Sequence, residues 1–184
     1  TNRIRCYDAD NGAVLWEVGG MTANVIPCPV TDGERVFCMS GFRGSAMLAI
    51  KLAVAGDLTD KPDAIAWSAK ENTPYVPSPV LSGGRLYYIK SNDGFLSCVD
   101  AATGKVQYAN KLEGVPVVFA SPVAAAGRLY VPGKNGLTAV VKLGPQFEVL
   151  ATNKLNDGII ASPAVAGNSL FIRGDHRLYC IEGE

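Results

Sequence analysis

Five cysteines and one histidine are the side chains of this 184-residue chain best suited to metal, redox or proton chemistry. The cysteines are Cys6, Cys28, Cys38, Cys98 and Cys180; their number is odd and no two stand in a C-x-x-C spacing. Zinc ribbons and small disulfide frameworks need closely spaced, paired thiols, so the pattern argues against both. His176 lies in Gly174-Asp175-His176-Arg177, and the carboxylate beside the imidazole can be drawn as an acid–base couple. Adjacent residues in a tight turn rarely point at each other, and no serine or cysteine nucleophile stands in a strained elbow nearby. A solvated hairpin tip is therefore the expectation for His176.

The elements that must position these residues are repeats. Four segments align without a gap: Pro27-Cys28-Pro29-Val30, Pro77-Ser78-Pro79-Val80, Ala120-Ser121-Pro122-Val123 and Ala161-Ser162-Pro163-Ala164. Eight residues beyond each aligned proline stands an aromatic, Phe37, Tyr87, Tyr130 or Phe171, inside a short apolar run. A glycine-bearing turn such as Asp32-Gly33 or Gly83-Gly84 separates proline from run. The aligned prolines, Pro29, Pro79, Pro122 and Pro163, recur at similar intervals, of which the first is the longest. A second motif follows: Ile4-Arg5-Cys6-Tyr7-Asp8-Ala9-Asp10-Asn11-Gly12 matches Leu96-Ser97-Cys98-Val99-Asp100-Ala101-Ala102-Thr103-Gly104, and Leu178-Tyr179-Cys180-Ile181-Glu182-Gly183 begins it again. Cys6, Cys98 and Cys180 thus share one place in the repeat, where a small apolar side chain fits a buried slot.

Each unit reads as four short strands rich in Val, Ile, Leu, Tyr and Phe, bounded by Gly, Asn, Asp and Pro. Proline at the start of the first strand is tolerated because that strand is an edge. Asn92-Asp93-Gly94 and Lys134-Asn135-Gly136 carry the residues that hairpin turns need. No stretch has helical periodicity. A four-stranded antiparallel unit recurring at this period is the signature of a β-propeller blade. The expectation is all-β: one propeller segment over residues 1–184, about four blades, part or half of a larger, eight-bladed ring. It divides into the end of a blade (1–18), three full blades (24–69, 75–112, 118–155) and three strands of a last one (159–184). Both ends are ragged, so the chain reads as cut from something longer or as half of a homodimeric ring, since open blade edges invite association.

Composition narrows the function. Hydrophobic residues make up 48% and charged residues 18%, which suits a packed globular chain. Lys+Arg and Asp+Glu balance at 17 each with no basic stripe, which disfavours nucleic acid. No apolar run approaches the roughly 20 residues of a membrane span, and Thr1-Asn2-Arg3-Ile4-Arg5 is not a signal peptide.

The turn Asp100-Ala101-Ala102-Thr103-Gly104-Lys105, with Tyr108 four residues after the glycine, resembles the tryptophan-docking repeat of quinoprotein dehydrogenases. The pattern Ser-Pro-Val, then Gly-x-Leu-Tyr, then Leu-x-Cys-x-Asp is similar to the same repeat in the broader pyrroloquinoline-quinone-like propeller family. That family includes non-catalytic relatives such as the outer-membrane assembly scaffold lipoprotein. The resemblance implies a propeller, an extracytoplasmic or periplasmic location, and blade-to-blade docking by Trp16, Trp67 and Tyr108. Docking is irregular: Trp67 lacks the preceding Thr-Gly turn, and the third full blade has Gly144-Pro145 instead. In the catalytic branch the resemblance implies pyrroloquinoline quinone on a tryptophan floor beside a disulfide of adjacent cysteines, activated by Ca²⁺. Here no adjacent cysteine pair exists, both tryptophans fall at docking positions, and no calcium or base residue can be matched.

These readings point to a non-enzymatic binding or assembly scaffold for a protein or peptide partner, with no catalytic, cofactor or metal residue assigned. The alternatives are a fragment of a Ca²⁺-dependent quinoprotein dehydrogenase and a carbohydrate-binding propeller. Strand connectivity puts the segments before strand one and the hairpins between strands two and three on one face. Arg43, Tyr75, Phe119, Lys134 and His176 are the expected contacts there, polar tips around an apolar inner ring.

Overall fold

The computed structural model describes residues 3–183. Among the described residues eighteen strands build five sheets. The first holds β1 (Arg3–Tyr7) and β2 (Val14–Gly19). The second is β3 (Val30–Thr31), β4 (Arg35–Ser40), β5 (Ala46–Lys51) and β7 (Ile65–Ala69); β6 (Gly56–Asp57) leaves it to join the first. The third is β8 (Val80–Ser82), β9 (Arg85–Ile89), β10 (Phe95–Asp100) and β11 (Val106–Lys111). The fourth is β12 (Val123–Ala125), β13 (Arg128–Pro132), β14 (Leu137–Lys142) and β15 (Val149–Lys154). The last is β16 (Ala164–Ala166), β17 (Ser169–Arg173) and β18 (Leu178–Glu182). Within each repeat, neighbouring strands pair antiparallel. The inner strands β3, β8, β12 and β16 neighbour one another in order, the radial arrangement of propeller blades. Among the described residues no helix is long and apolar enough to cross a membrane.

Turn chemistry sets the register. The Asp8 carboxylate accepts from the N–H of Asp10 and Asn11, that of Asp100 from the N–H and hydroxyl of Thr103, and Gly12 and Gly104 then take φ of 74° and 72°. Blade-to-blade packing supplies the core. Phe37, Met39, Met47 and Ala49 face Leu86, Tyr88, Val99 and Ala101 of the next sheet. Tyr87, Leu96, Cys98 and Tyr108 face Leu129, Val131, Ala139 and Val141.

A β-bulge recurs at one place in four sheets, directly after the pairs Cys6↔Trp16, Ala49↔Trp67, Cys98↔Tyr108 and Val140↔Ala151. The extra twist of a bulge re-aims the outer strand, and here it accompanies the residue that packs on the next blade. Trp16 is buried among Cys38, Ile50 and Leu58. Trp67 donates its indole N–H to the Ala101 carbonyl at 2.9 Å. Tyr108 packs on Phe147, its ring 5.5 Å away. The Gly144-Pro145 turn is the surface that receives the third sheet: the Gly144 N–H donates to the Tyr87 hydroxyl at 2.9 Å. The docking position of the fourth sheet itself falls to Ala151.

The long interval between Pro29 and Pro79 has a structural cause. Between β5 and β7 an insertion carries β6 and a single 3-10 turn (Pro62–Ala64). β6 pairs parallel with β2 through Trp16↔Gly56 and Glu17↔Asp57, so the insertion covers the outer edge of the preceding blade.

Candidate functional site

The face built from the lead-in segments and the second-to-third-strand hairpins is held by hydrogen bonds between blades. The lead-ins to the third, fourth and last sheets are each clamped between two hairpins. The Thr73 hydroxyl donates to the Ser40 carbonyl at 2.6 Å, while Ser91 donates its N–H to Thr73 at 3.0 Å. Val118 donates to Asn92 and Lys134 to Val117; Ile159 donates to Lys134 and Asp175 to Gly158. Nearer the axis a second belt forms. The N–H of Cys28 donates to Ser78 Oγ, that of Ser78 to Ser121 Oγ, and that of Ser121 to Ser162 Oγ, at 2.9, 2.9 and 3.0 Å. The serine of each Ser-Pro motif is thus an inter-blade acceptor.

All five residues expected to make contacts lie on these lead-ins and hairpins, and two pairs of neighbours form. Phe42, beside Arg43, stacks on Tyr75 with ring centroids 4.8 Å apart and planes 23° apart. The Arg43 guanidinium lies 5.3 Å from the Phe42 centroid, and Lys134 Nζ lies 5.7 Å from that of Phe119. A cation over a ring keeps both an apolar and a charged group available at the surface. Ile26 and Ile160 occupy the same repeat position as Val76 and Phe119, and both are exposed. An apolar ring flanked by cations results.

His176 does not join these clusters. Its partner is Asp157 of the lead-in, not the adjacent Asp175: Nδ1 lies 2.9 Å from Asp157 Oδ1. Asp157 also accepts from the N–H of His176 and Arg177 and from the Tyr179 hydroxyl. Its side chain is 1% exposed, whereas the imidazole is 82% exposed. Sequence reasoning missed Asp157 because its role depends on a lead-in and a hairpin, separate in the chain, meeting at one end of the last sheet. The hydrogen bond from His176 is the main reason Asp157 titrates low, at about 2. Asp157 in turn raises the His176 pKa above 6.5.

Linkage then sets the pH window. The Asp157 contribution is present above the ordinary carboxylate value of 3.8 and is lost as pH falls through about 2. The His176 contribution is full below 6.5 and is lost as pH rises through the raised folded value. The thermal midpoint is therefore expected to fall slightly between about pH 6 and pH 8, and Asp157→Asn should flatten that slope. A slope that persists in the variant would assign it to other groups. The effect is small because the imidazole faces water.

Cys38 and Cys98 serve packing, whereas Cys180, expected in the same buried slot as Cys98, is exposed because no further sheet among the described residues covers it. Burial pushes Cys38 up to about 12 and Cys98 up to about 11, which leaves both protonated and unreactive at neutral pH. Cys6 is half-buried, while Cys28 and Cys180 are exposed. The residues present do not fit pyrroloquinoline quinone. Both indoles are committed to blade packing, no two cysteines are adjacent, and among the described residues no three His, Cys, Asp or Glu side chains converge.

The fold and the face define a partial β-propeller of the quinoprotein-like type. The family described as outer membrane protein assembly factor BamB matches residues 1–182, and the chain belongs to this pyrroloquinoline-quinone-like propeller family. Among solved structures, BamB from Moraxella catarrhalis is similar with a TM-score of 0.52 at 13% identity, over 97% of this chain. The chain spans 66% of the length of that protein. The computationally designed Ika4 protein is similar with a TM-score of 0.70 at 11% identity, over 93% of this chain and 98% of the designed one. No curated protein matches the sequence.

Proposed function

We propose that this chain is a non-enzymatic assembly scaffold of the periplasm that holds a protein or peptide partner on the face bearing Arg43, Tyr75, Phe119, Lys134 and His176. The observation that carries the reading is the pairing of surface cations with aromatics, Arg43 with Phe42–Tyr75 and Lys134 with Phe119, around exposed Ile26 and Ile160. Arg and Tyr in such settings dominate binding energy at protein interfaces. The cations favour a partner with acidic side chains flanking apolar ones. Family membership supports assembly of outer-membrane proteins as the process served.

The ring is completed, on this reading, by further blades from a second copy or a longer chain. Leu178 and Cys180 are exposed, although their counterparts Leu96 and Cys98 in the third sheet are fully buried against the next blade. The outer face of the first sheet carries instead the ion pair Arg5–Glu17, at 2.8 Å. Burying that pair against an apolar blade carries a desolvation cost, which counts against a head-to-tail homodimer. Light scattering decides: twice the 19.4 kDa mass would establish the homodimer, and a single mass would remove it.

A photo-crosslinker placed at Lys134 should capture the partner in cells, whereas one at Glu34, in a turn of the opposite face, should not. Arg43→Glu and Tyr75→Ala should each weaken the captured complex by roughly 10- to 100-fold. Equal capture at both positions, or unchanged binding in both variants, would remove this face from consideration.

A further inference from the structure

We infer that the slot between the fourth and last sheets is a binding site for a small aromatic ring carrying one hydrogen-bonding group. The packing rule of the other sheets carries the argument. The residue paired just before the bulge is Trp16, Trp67 or Tyr108 in three sheets and Ala151 in the fourth. Where the wedge ring is missing, a cavity of about 280 Å³ lies between Tyr130, Val140 and Leu155 on one side and Leu170, Ile172 and Ile181 on the other. Val140, the cross-strand partner of Ala151, lines it. An apolar cavity of about 150 Å³ is enough to bind benzene, so a fused bicyclic ring fits here.

A second feature points to a ligand. Thr138 lines the same cavity, is 4% exposed, and its hydroxyl is buried with no hydrogen-bond partner. Buried hydroxyls are ordinarily paired, and leaving one unpaired is costly. At the equivalent position the third sheet has Leu96 and the last has Leu178, so the repeat does not require a hydroxyl there. Asn153, across the strand from Thr138, adds a second polar group at the rim. An indole or a phenol would fill the apolar volume, and a rotation of Thr138 about χ1 would turn its oxygen to the N–H or O–H of the ring.

The test is methyl-detected NMR of the 184-residue chain titrated with indole and, separately, with indene, the same ring system without the N–H. Saturable shifts of the Leu170, Ile172 and Ile181 methyls are expected with both ligands. Indole should bind roughly five- to tenfold more tightly than indene. Thr138→Val keeps the shape and should erase that difference while leaving indene binding unchanged. Ala151→Trp should supply the ring from within and abolish both; if that variant does not fold, Thr138→Val alone decides. Absence of shifts at these methyls, or equal binding of the two ligands to the unsubstituted protein, overturns the assignment. N-acetyl-tryptophanamide separates the sources: tighter binding than indole assigns the slot to a side chain of a partner, weaker binding to a free ring.

Discussion

Trp67→Ala should cost about 3 kcal/mol, the low end for deleting a tryptophan from a packed site because the ring is only half-buried. For a domain of this size that lowers the thermal midpoint by roughly 6–12 °C. The indole is the wedge of the second sheet. One face packs on Phe37, 5.9 Å between centroids, and its N–H is paired with Ala101 on the third sheet. Its other contact is Gly104: a Cβ there would stand 2.7 Å from two indole carbons, in a backbone with φ of 72°. Gly104→Ala alone should therefore cost about 2–3 kcal/mol, part backbone strain and part collision. Once the ring is gone only the strain remains, so Trp67→Ala/Gly104→Ala should be less damaging than the sum by about 1–2 kcal/mol. Strict additivity in thermal melts would mean that the wedge and the turn do not form one joint.

Gly136→Ala should cost about 3 kcal/mol and disturb the candidate binding face as well. Gly136 turns the hairpin of the fourth sheet at φ of 83°, and a Cβ would run into the carbonyl oxygens of Leu155 and Asp157. The strained backbone contributes about 1–2 kcal/mol and the collision the remainder. Because Leu155 donates its N–H to the Gly136 carbonyl, the lead-in of the last blade cannot retreat without breaking a hydrogen bond. Asp157 would move with it and loosen its hold on His176. The His176 pKa should then drop back toward 6.5, a readout that simple destabilisation would not give. Gly127→Ala is the control. That glycine has φ of 73° with open space around it, so only about 1 kcal/mol is expected. If the two variants melt alike, or the histidine does not respond, the backbone clash is not what places Asp157.

Blade number, strand order and the direction of each hairpin were legible in the chain because a propeller is local. Apart from β6, which crosses to the first sheet, each sheet pairs strands that follow one another in the chain; the proline and aromatic-run signals recur in each full repeat, and Asp-x-x-x-Gly marks the turn after Cys6 and after Cys98. The same locality placed Arg43, Tyr75, Phe119, Lys134 and His176 on one face, since the face follows from strand parity alone. Trp16 and Tyr108 were readable as docking residues because their place four residues after a glycine resembles the docking repeat of the family. Trp67 was harder to align, because the insertion carrying β6 changes the interval.

What the sequence by itself determined is therefore the all-β repeat, the run of turns, and the list of side chains on each face. The tertiary structure alone decided which of them meet. Asp157 rather than Asp175 holds His176 because a buried carboxylate facing two backbone N–H groups outcompetes an exposed neighbour. The serines of the Ser-Pro motifs became inter-blade acceptors only when neighbouring blades brought an N–H within 3.0 Å. The cavity beside Val140, where the bulge re-aims nothing large, lies between two sheets. The serine belt and the cavity join residues from different repeats, and no pattern within a single repeat encodes them.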